Sequence, residues 1–317
     1  MKTVLLEPLN ISDELLEELS APLRTAGHLF ESYATKPSGT EEWLSRIGDA
    51  EQIILANTPL PEEAVREAPN LKYINVAFTG TDHIPVEAAS KRGIVVSNAA
   101  GYSDQGVAEM VLGMSIALLR QFQAADLGAR HGGRTADFPG GEVAGRTVGI
   151  IGTGKIGTRV AKVFHALGAK LIGYNRSVHP EAEALGLRYC SLEDVFRTAD
   201  LITVHLPNTP ETRRLIGAKE FALMKKSAFF INCARGPIVD SRALCEALQA
   251  GSIAGAAVDV FDQEPPLTDE PLLDAPHTLL TPHVAYFTEE AMEKRARIVF
   301  RNAVDFVEGR EISTRIH

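Results

Sequence analysis

One short glycine-rich segment, Gly152-Thr153-Gly154-Lys155-Ile156-Gly157, restricts the possible folds more than any other part of the chain. It follows an apolar run over 147–151 that is typical of a buried strand, and a helical pattern over 158–167 comes after it. In this setting Gly152 permits a tight turn, Gly154 lets the backbone approach a ligand, and Gly157 lets helix and strand pack closely. The N–H groups at the start of the helix, including those of Lys155 and Ile156, would then face a pyrophosphate. The context predicts a dinucleotide-binding unit rather than a plain glycine-rich turn.

The residues that end the next predicted strand indicate which dinucleotide such a unit binds. Enzymes that use NAD usually carry Asp or Glu there, about 20 residues beyond the glycines, because a carboxylate holds the ribose hydroxyls. This chain carries Asn175-Arg176-Ser177 instead. An amide does not repel a 2′-phosphate, and Arg176 and Ser177 offer donors that suit one. We therefore predict NADP in preference to NAD. The alternative is that Arg176 is a solvated surface residue and that NAD binds through backbone contacts.

Short β-branched runs alternate with helical patterns along the whole chain, which is typical of parallel sheets covered by helices on both faces. The chain has 317 residues, of which 45% are hydrophobic, enough for two domains. We predict two doubly wound α/β units, with a long apolar helix over 103–119 and a last helix, over 289–308, that could pack against either. The strands are expected at 3–6, 52–56, 73–76 and 94–97 in the first unit, and at 147–151, 170–174, 201–204, 229–232, 255–260 and 279–281 in the second.

Charge and composition exclude several classes of protein. The formal net charge of −9 leaves no excess of Lys or Arg to neutralise nucleic acid or an anionic membrane surface. Three irregularly spaced cysteines suit neither a disulfide framework nor a zinc site, and they are compatible with a reducing cytoplasm. No apolar run is long enough to span a bilayer, and the N-terminal segment is typical of a first strand rather than a signal peptide. We expect a cytoplasmic protein without a metal.

Polar residues follow three predicted strands of the second unit, where open α/β sheets bind their ligands. The segments are Asn232-Cys233-Ala234-Arg235-Gly236, the stretch 259–266, and Thr281-Pro282-His283-Val284-Ala285. With the glycine-rich segment, they resemble the D-isomer-specific 2-hydroxyacid dehydrogenase family. The resemblance covers essentially the whole chain, from Gly80-Thr81-Asp82-His83-Ile84 through Val107-Ala108-Glu109 to His283.

The family's pattern implies a catalytic set of Arg235, Glu264 and His283. A carbonyl that receives a hydride develops negative charge on oxygen, so a proton donor must lie within hydrogen-bond reach. Histidine suits this task because it titrates near neutral pH and can act as acid in one direction and base in the other. Glu264 would favour the charged imidazolium and orient the ring. Arg235 offers a planar fork of donors for the substrate carboxylate and carbonyl oxygen.

The resemblance also implies cofactor and substrate contacts. The cofactor contacts are Cys233, Ala234, Asp259, the loop His205-Leu206-Pro207, and Thr212. The loop with Phe78, Thr79 and Gly80 matches the one whose N–H groups bind the substrate carboxylate. Tyr102 and Tyr286 look like the branch that contains D-lactate and D-2-hydroxyisocaproate dehydrogenases. Three aromatic side chains suggest an apolar substrate side chain, although ordinary packing would also explain them.

The family implies a Rossmann cofactor domain, residues 100–287, inserted into a flavodoxin-like substrate domain formed by residues 1–99 and 288–317. A cleft would close over the substrate during transfer. Asp104 stands where many relatives carry Thr or Ser near the pyrophosphate, and we expect it to turn away and serve the helix N-terminus. The apolar helix over 103–119 predicts a homodimer. Two alternatives stay open: a glyoxylate/hydroxypyruvate reductase, and a dinucleotide-sensing corepressor that binds protein partners.

Overall fold

The computed structural model describes residues 1–317, which form two compact units. The first unit combines the two ends of the chain, Met1–Ser103 and Phe287–His317, and the second is Asp104–Tyr286. Each unit contains one parallel sheet with helices. The predicted fold class, with one doubly wound unit inserted into another, is therefore confirmed.

The first unit has a five-stranded parallel sheet in the order β2-β1-β3-β4-β5, which is the flavodoxin-like order. Its strands are β1 (Lys2–Leu5), β2 (Leu29–Ser32), β3 (Gln52–Leu55), β4 (Tyr73–Val76) and β5 (Val95–Ser97). Its helices are α1 (Asp13–Thr25), α2 (Thr40–Ile47), α3 (Glu62–Glu67), α4 (Val86–Lys91) and, from the C-terminal end, α12 (Glu289–Val307). Strands β3 and β4 are buried throughout, because helices cover both faces of the sheet.

The second unit has a seven-stranded parallel sheet in the order β12-β11-β10-β9-β6-β7-β8. Its strands are β6 (Thr147–Ile151), β7 (Lys170–Tyr174), β8 (Arg188–Tyr189), β9 (Leu201–Val204), β10 (Phe229–Asn232), β11 (Gly255–Val258) and β12 (Thr278–Leu280). Its helices are α5 (Asp104–Leu119), α6 (Phe122–Arg130), α7 (Lys155–Ala166), α8 (Pro180–Glu183), α9 (Leu192–Thr198), α10 (Ala218–Phe221) and α11 (Ser241–Gln249). Read from the first strand of the unit, this is the Rossmann order.

The sheet order of the second unit changes direction at β6, which has β7 on one side and β9 on the other. Ligands of open α/β sheets bind at the carboxyl ends of the strands at such a point. The glycine-rich segment follows β6, Asn175 follows β7, and His205 follows β9. The segments with Arg235 and His283 follow β10 and β12 on the same edge. The topology therefore collects the predicted site residues of this unit along one edge of one sheet.

Three elements differ from the sequence prediction. The edge strands β2 and β8 were not predicted, because β2 is largely exposed and β8 has only two residues, so neither carries a clear apolar pattern. Helix α6 was not predicted either; none of its residues is buried. The last helix, for which two positions were open, packs in the first unit, where the Asn75 amide donates to the Val299 carbonyl at 2.7 Å. None of the helices combines the length and hydropathy that crossing a bilayer requires.

Candidate active site

The glycine-rich loop has the geometry of a pyrophosphate cradle. Gly152 has a φ of +93°, and a Cβ built on Gly157 would lie 1.9 Å from the carbonyl oxygen of Gly152, so both positions require glycine. A Cβ on Gly154 would meet nothing within 4 Å, which leaves open space above the loop. The N–H groups of Thr153 and Gly154 donate to no other group of the chain, and the first turn of α7 adds three more free donors. These residues fit the phosphates of a dinucleotide.

The loop after β7 carries no acidic residue at 175–177, and it is held by its own hydrogen bond. The Asn175 side-chain amide donates to the Ser177 carbonyl at 2.9 Å. Arg176 and Ser177 are exposed. The charge of Arg176 contributes to lowering the pKa of Glu211, after hydrogen bonds from Thr209 and from the Glu211 backbone, so the guanidinium lies near the next loop. The arrangement leaves a cationic side chain beside the position where a ribose would bind.

The loop after β9 carries an uncharged histidine. Burial lowers the pKa of His205 to about 3, and its Nε2 atom lies 3.0 Å from the Thr203 hydroxyl. The His205 carbonyl packs so closely under Gly152 that a Cβ there would lie 2.6 Å away. The Thr212 hydroxyl closes the loop by donating to the Pro207 carbonyl at 2.6 Å. Leu206 lies between His205 and Pro207 in the sequence. The loop therefore supports the glycine-rich segment from below.

His283 and Glu264 form a direct pair. The Nδ1 atom of His283 lies 2.5 Å from Oε2 of Glu264, and the two side chains are 29% and 36% exposed. The ring of Tyr286 meets the imidazole edge-on, with 5.3 Å between centroids. Because Nδ1 is engaged with the carboxylate, Nε2 is the ring nitrogen left to exchange a proton with a ligand. The pairing predicted from the family pattern is present in the structure.

Electrostatics keep Glu264 ionised. Burial alone raises the pKa of Glu264, but the hydrogen bond and charge of His283, the hydrogen bond from the Phe261 N–H and the charge of Arg235 outweigh it. The net effect is a pKa below the ordinary value of a glutamate. Arg235, Glu264 and His283 are therefore close enough to interact through their charges. The carboxylate stays charged beside the imidazole at neutral pH.

Asp259 organises the segment that carries His283. Its buried carboxylate accepts hydrogen bonds from the Thr281 hydroxyl at 2.6 Å and from the N–H groups of Val284 and Ala285 at 2.8 and 3.0 Å. The Asp259 carbonyl also accepts from the His283 N–H at 2.7 Å, and His283 takes a φ of +54°. Non-glycine residues in this region concentrate at functional sites. Asp259, placed by the family pattern near the nicotinamide carboxamide, thus also holds the histidine segment in shape.

The segment with Arg235 depends on two neighbours that the sequence analysis did not assign a role. The Asn232 side chain accepts from the Ala234 N–H at 3.0 Å and donates to the Arg235 carbonyl at 3.1 Å. A Cβ on Gly236 would lie 2.1 Å from the Phe261 backbone, so only glycine lets the two segments approach. A buried polar residue at the end of an apolar strand is the signal that would have identified Asn232.

Cys233 lies near Arg235 in the same segment, and its thiol stays protonated. Its thiol is buried against the Met114 sulfur at 3.6 Å. Burial, with the charge of Asp259, raises the pKa of the Cys233 thiol well above its ordinary value. The neutral thiol packs as a small apolar group, which is compatible with a cofactor-lining position.

The first unit holds the predicted carboxylate loop. The Phe78 carbonyl accepts from the Ala99 N–H at 2.9 Å, and the Thr79 carbonyl accepts from the Asn98 side chain at 2.8 Å. The N–H groups of Thr79 and Gly80 donate to no other group of the chain. Two adjacent N–H groups without a partner in the chain suit an anion.

Two aromatic rings lie next to this loop. Phe78 and Tyr102 meet edge-on, with 6.1 Å between centroids. The buried guanidinium of Arg295, on α12, lies 4.8 Å from the Phe78 ring centre and donates to the Leu9 carbonyl at 2.6 Å. The positive charge of Arg295 stabilises the position of both aromatic rings through cation–π contacts. Helix α5 begins at Asp104, whose carboxylate lies in the first turn.

A Rossmann sheet with a pyrophosphate loop lies at the same edge as an imidazole–carboxylate pair, an arrangement that suits a nicotinamide-dependent dehydrogenase. Comparison with known proteins identifies the family. Residues 112–285 match the NAD binding domain of the D-isomer specific 2-hydroxyacid dehydrogenases, and the chain belongs to this family. It is 38% identical to the glyoxylate reductase of Aeropyrum pernix over 285 residues, which are 87% of this chain and 85% of that protein.

Other relatives show how broad the family is. The chain is 41% identical over 263 residues to the D-3-phosphoglycerate dehydrogenase of Methanocaldococcus jannaschii, which covers 82% of this chain and 50% of that protein. It thus spans about half the length of the phosphoglycerate dehydrogenases that it matches. Among solved structures, an acyclic imino acid reductase in complex with NADPH and D-Arg superposes over both full chains with a TM-score of 0.90 and 28% identity. The D-lactate dehydrogenase of Aquifex aeolicus, complexed with NAD and lactic acid, superposes with a TM-score of 0.85 and 27% identity. This match covers 98% of this chain and 96% of that one.

These comparisons confirm the family resemblance and, through the NAD binding domain that the family model describes, a nicotinamide dinucleotide as the cofactor. The neighbours are found with NAD or with NADPH, so the preference of this chain stays a prediction.

Proposed function

We propose that the protein reduces a small 2-oxo acid to the D-2-hydroxy acid, and catalyses the reverse reaction, with His283 as the acid/base. The observation that carries this proposal is the His283–Glu264 pair beside Arg235. A bound nicotinamide supplies or accepts the hydride at the substrate carbon. His283 gives a proton from Nε2 to the carbonyl oxygen as negative charge develops there. Glu264, ionised throughout, stabilises the imidazolium before transfer and keeps Nδ1 engaged.

Arg235 and the carboxylate loop complete the proposed chemistry. The guanidinium fork of Arg235 suits both the substrate carboxylate and the developing oxyanion. The N–H groups of Thr79 and Gly80 suit the carboxylate. In this proposal residues 1–99 and 288–317 bind the substrate and residues 100–287 bind the cofactor. In the same proposal, seven further residues line the cofactor: Lys155, Ile156, Leu206, Pro207, Thr212, Cys233 and Ala234.

The cofactor is proposed to be NADPH. No carboxylate at 175–177 repels a 2′-phosphate, and Arg176 and Ser177 are exposed beside it. The imino acid reductase with the same fold, which was solved with NADPH, supports this choice. The substrate is proposed to have an apolar side chain, because Phe78, Tyr102 and Tyr286 are the aromatic groups next to the loop or the catalytic histidine. The identity to glyoxylate reductases favours the second candidate, a reductase of glyoxylate or hydroxypyruvate.

We further propose a cytoplasmic homodimer. The three cysteines are free thiols, which suits a reducing compartment. The long apolar helix α5 buries Val107, Val111 and Met114 within its own unit, so its composition is partly explained without a partner. Two exposed apolar side chains lie on the following helix α6, where Phe122 and Leu127 are 55% and 59% exposed. Sedimentation at micromolar concentration tests the dimer, and a mass near that of one 34.2 kDa chain would refute it.

One experiment tests the central proposal: initial rates for a panel of 2-oxo acids, each with NADH and NADPH in parallel. Turnover of any 2-oxo acid supports the reaction class, and chiral analysis of the product tests the D configuration. Arg235→Ala should raise KM and lower kcat together, because the guanidinium binds both the ground-state carboxylate and the oxyanion. An increase in KM with an unchanged kcat would assign Arg235 to binding and not to catalysis.

A further inference from the structure

Tyr189 joins the two loops that are proposed to bind opposite parts of the cofactor. Its hydroxyl lies 2.7 Å from the hydroxyl of Thr153 and accepts a hydrogen bond from the His179 N–H at 3.0 Å. Thr153 is a fully buried residue of the glycine-rich segment. His179 is the N-cap residue of α8 and lies two positions after Ser177. One phenol oxygen on the edge strand β8 therefore connects the pyrophosphate loop to the loop that follows β7.

The hydrogen bonds at Tyr189 are mutually consistent. A backbone N–H can only donate, so the phenol oxygen accepts from His179 and its own proton is available for Thr153. The Thr153 carbonyl in turn accepts from the Thr158 hydroxyl at 2.9 Å, in the first turn of α7. The connection thus runs from the start of one helix, through the glycine-rich segment and the tyrosine, to the start of another.

The loop that Tyr189 restrains is otherwise exposed. Residues 176–178 are exposed, and Val178 is 53% exposed although it is apolar. The Asn175–Ser177 hydrogen bond shapes the first part of the loop, and the Tyr189–His179 bond holds its far end. A loop held at both ends loses less conformational freedom when a ligand orders it, so it binds that ligand more tightly.

We propose that Tyr189 is a positioning residue that sets the preference for a 2′-phosphorylated dinucleotide. Both NADPH and NADH use the glycine-rich loop, but only NADPH has a phosphate for Arg176 and Ser177. Freeing the far end of the 175–179 loop therefore weakens NADPH more than NADH. This inference rests on the proposed NADPH preference, and it assigns part of the discrimination to a residue outside the 175–177 segment.

A purely structural role for Tyr189 predicts a different result. If the hydroxyl only stabilises the edge of the sheet, its removal lowers the melting temperature and changes both affinities by the same factor. The ratio of the two dissociation constants is therefore the decisive readout. Tyr189→Phe removes only the hydroxyl, and Thr153→Val removes the partner from the opposite side without adding volume.

The experiment measures Kd for NADPH and NADH by nucleotide fluorescence in the full-length protein, with melting temperatures in parallel. The variants are Tyr189→Phe, Thr153→Val, their double variant, Arg176→Ala, and Tyr33→Phe, a control in the other unit. We expect Tyr189→Phe to weaken NADPH about five- to tenfold and NADH less than about twofold. The double variant should weaken NADPH no more than the stronger single variant, because both remove one connection.

The outcomes separate the inference from the proposal beneath it. If Arg176→Ala lowers the NADPH preference and Tyr189→Phe does not, the cofactor proposal stands and the inference is wrong. Equal weakening of both nucleotides by Tyr189→Phe also overturns it. If the wild type prefers NADH and Arg176→Ala leaves the ratio unchanged, the cofactor proposal fails, and the inference that rests on it fails as well. Should Tyr189→Phe fold poorly, Thr153→Val tests the same bond.

Discussion

The Nδ1 atom of His283 lies 2.5 Å from Oε2 of Glu264, although 19 positions separate the two residues. The carboxylate is ionised, since its hydrogen bonds and the charges of His283 and Arg235 outweigh the effect of burial on its pKa. An imidazole held in this way presents its other nitrogen in a defined direction. The pair is therefore suited to deliver a proton repeatedly to the same atom of a ligand.

Replacement of His283 should remove acid/base catalysis without removing cofactor binding. We expect His283→Ala to lower kcat by about two to four orders of magnitude, the usual worth of a positioned general acid. The dissociation constant for NADPH should change little. The same substitution at His131, an exposed histidine of the second unit, is the matched control. Near-normal turnover in His283→Ala would disprove the mechanism.

Replacement of Glu264 should move the pH dependence of reduction. Glu264→Gln keeps the size of the side chain but removes the charge that stabilises the imidazolium, so the alkaline limb of kcat/KM should move to lower pH. The wild-type pKa of Glu264 is lowered, so its carboxylate persists below the ordinary range and is lost only as pH falls through the lowered value. Rates measured from pH 5 to 9 check this; an unmoved alkaline limb would show that the charge is not coupled to the proton donor.

The acid stability of the protein without cofactor should depend on His205. Its folded pKa, about 3, lies below the ordinary value of 6.5, so between these values the unfolded chain binds more protons than the folded one. Stability should therefore fall as pH falls through this window, by up to about 1.4 kcal/mol per pH unit. His205→Asn should flatten the decline seen in urea titrations, and His131→Asn should not. An identical slope in both variants would mean that His205 is protonated without cost.

Substrate preference tests the aromatic residues. We expect 4-methyl-2-oxopentanoate or phenylpyruvate to exceed glyoxylate in kcat/KM, because each buried methylene contributes about 0.8 kcal/mol. Phe78→Ala should reduce the rate with the large substrates selectively, and glyoxylate serves as the internal control. A tenfold advantage for glyoxylate or hydroxypyruvate would show that the rings are packing and would establish the second candidate function.

Cofactor preference tests the residue after β7. Asn175→Asp places a carboxylate beside the proposed 2′-phosphate, and after screening we expect NADPH to bind about 10- to 150-fold more weakly. NADH should improve through ribose hydrogen bonds. Asn175→Ala is the necessary control, because the wild-type amide also donates to the Ser177 carbonyl. If both variants weaken NADPH equally, the loop hydrogen bond matters and the charge does not.

Part of this fold was predictable from the sequence because some structural rules act on neighbouring residues alone. Gly152 and Gly157 are recognisable because a positive φ and a close backbone approach admit glycine alone, whatever the rest of the chain does. The central strands are recognisable because a parallel strand buried on both faces is a continuous apolar run. The family pattern then assigned roles to Arg235, Glu264 and His283, since its polar segments follow those strands at fixed positions.

What depends on distant partners was decided only by the tertiary structure. The edge strands β2 and β8 exist because a neighbouring strand accepts their hydrogen bonds, and their own residues carry little apolar pattern. Helix α12 packs in the first unit, where Asn75, more than 200 positions earlier in the chain, donates a hydrogen bond to the Val299 carbonyl of the helix. The Tyr189–Thr153 contact and the three donors around Asp259 likewise form between separate elements. Short-range sterics and hydrophobic periodicity are written along the chain, whereas the choice of a hydrogen-bond partner requires the whole fold to place it.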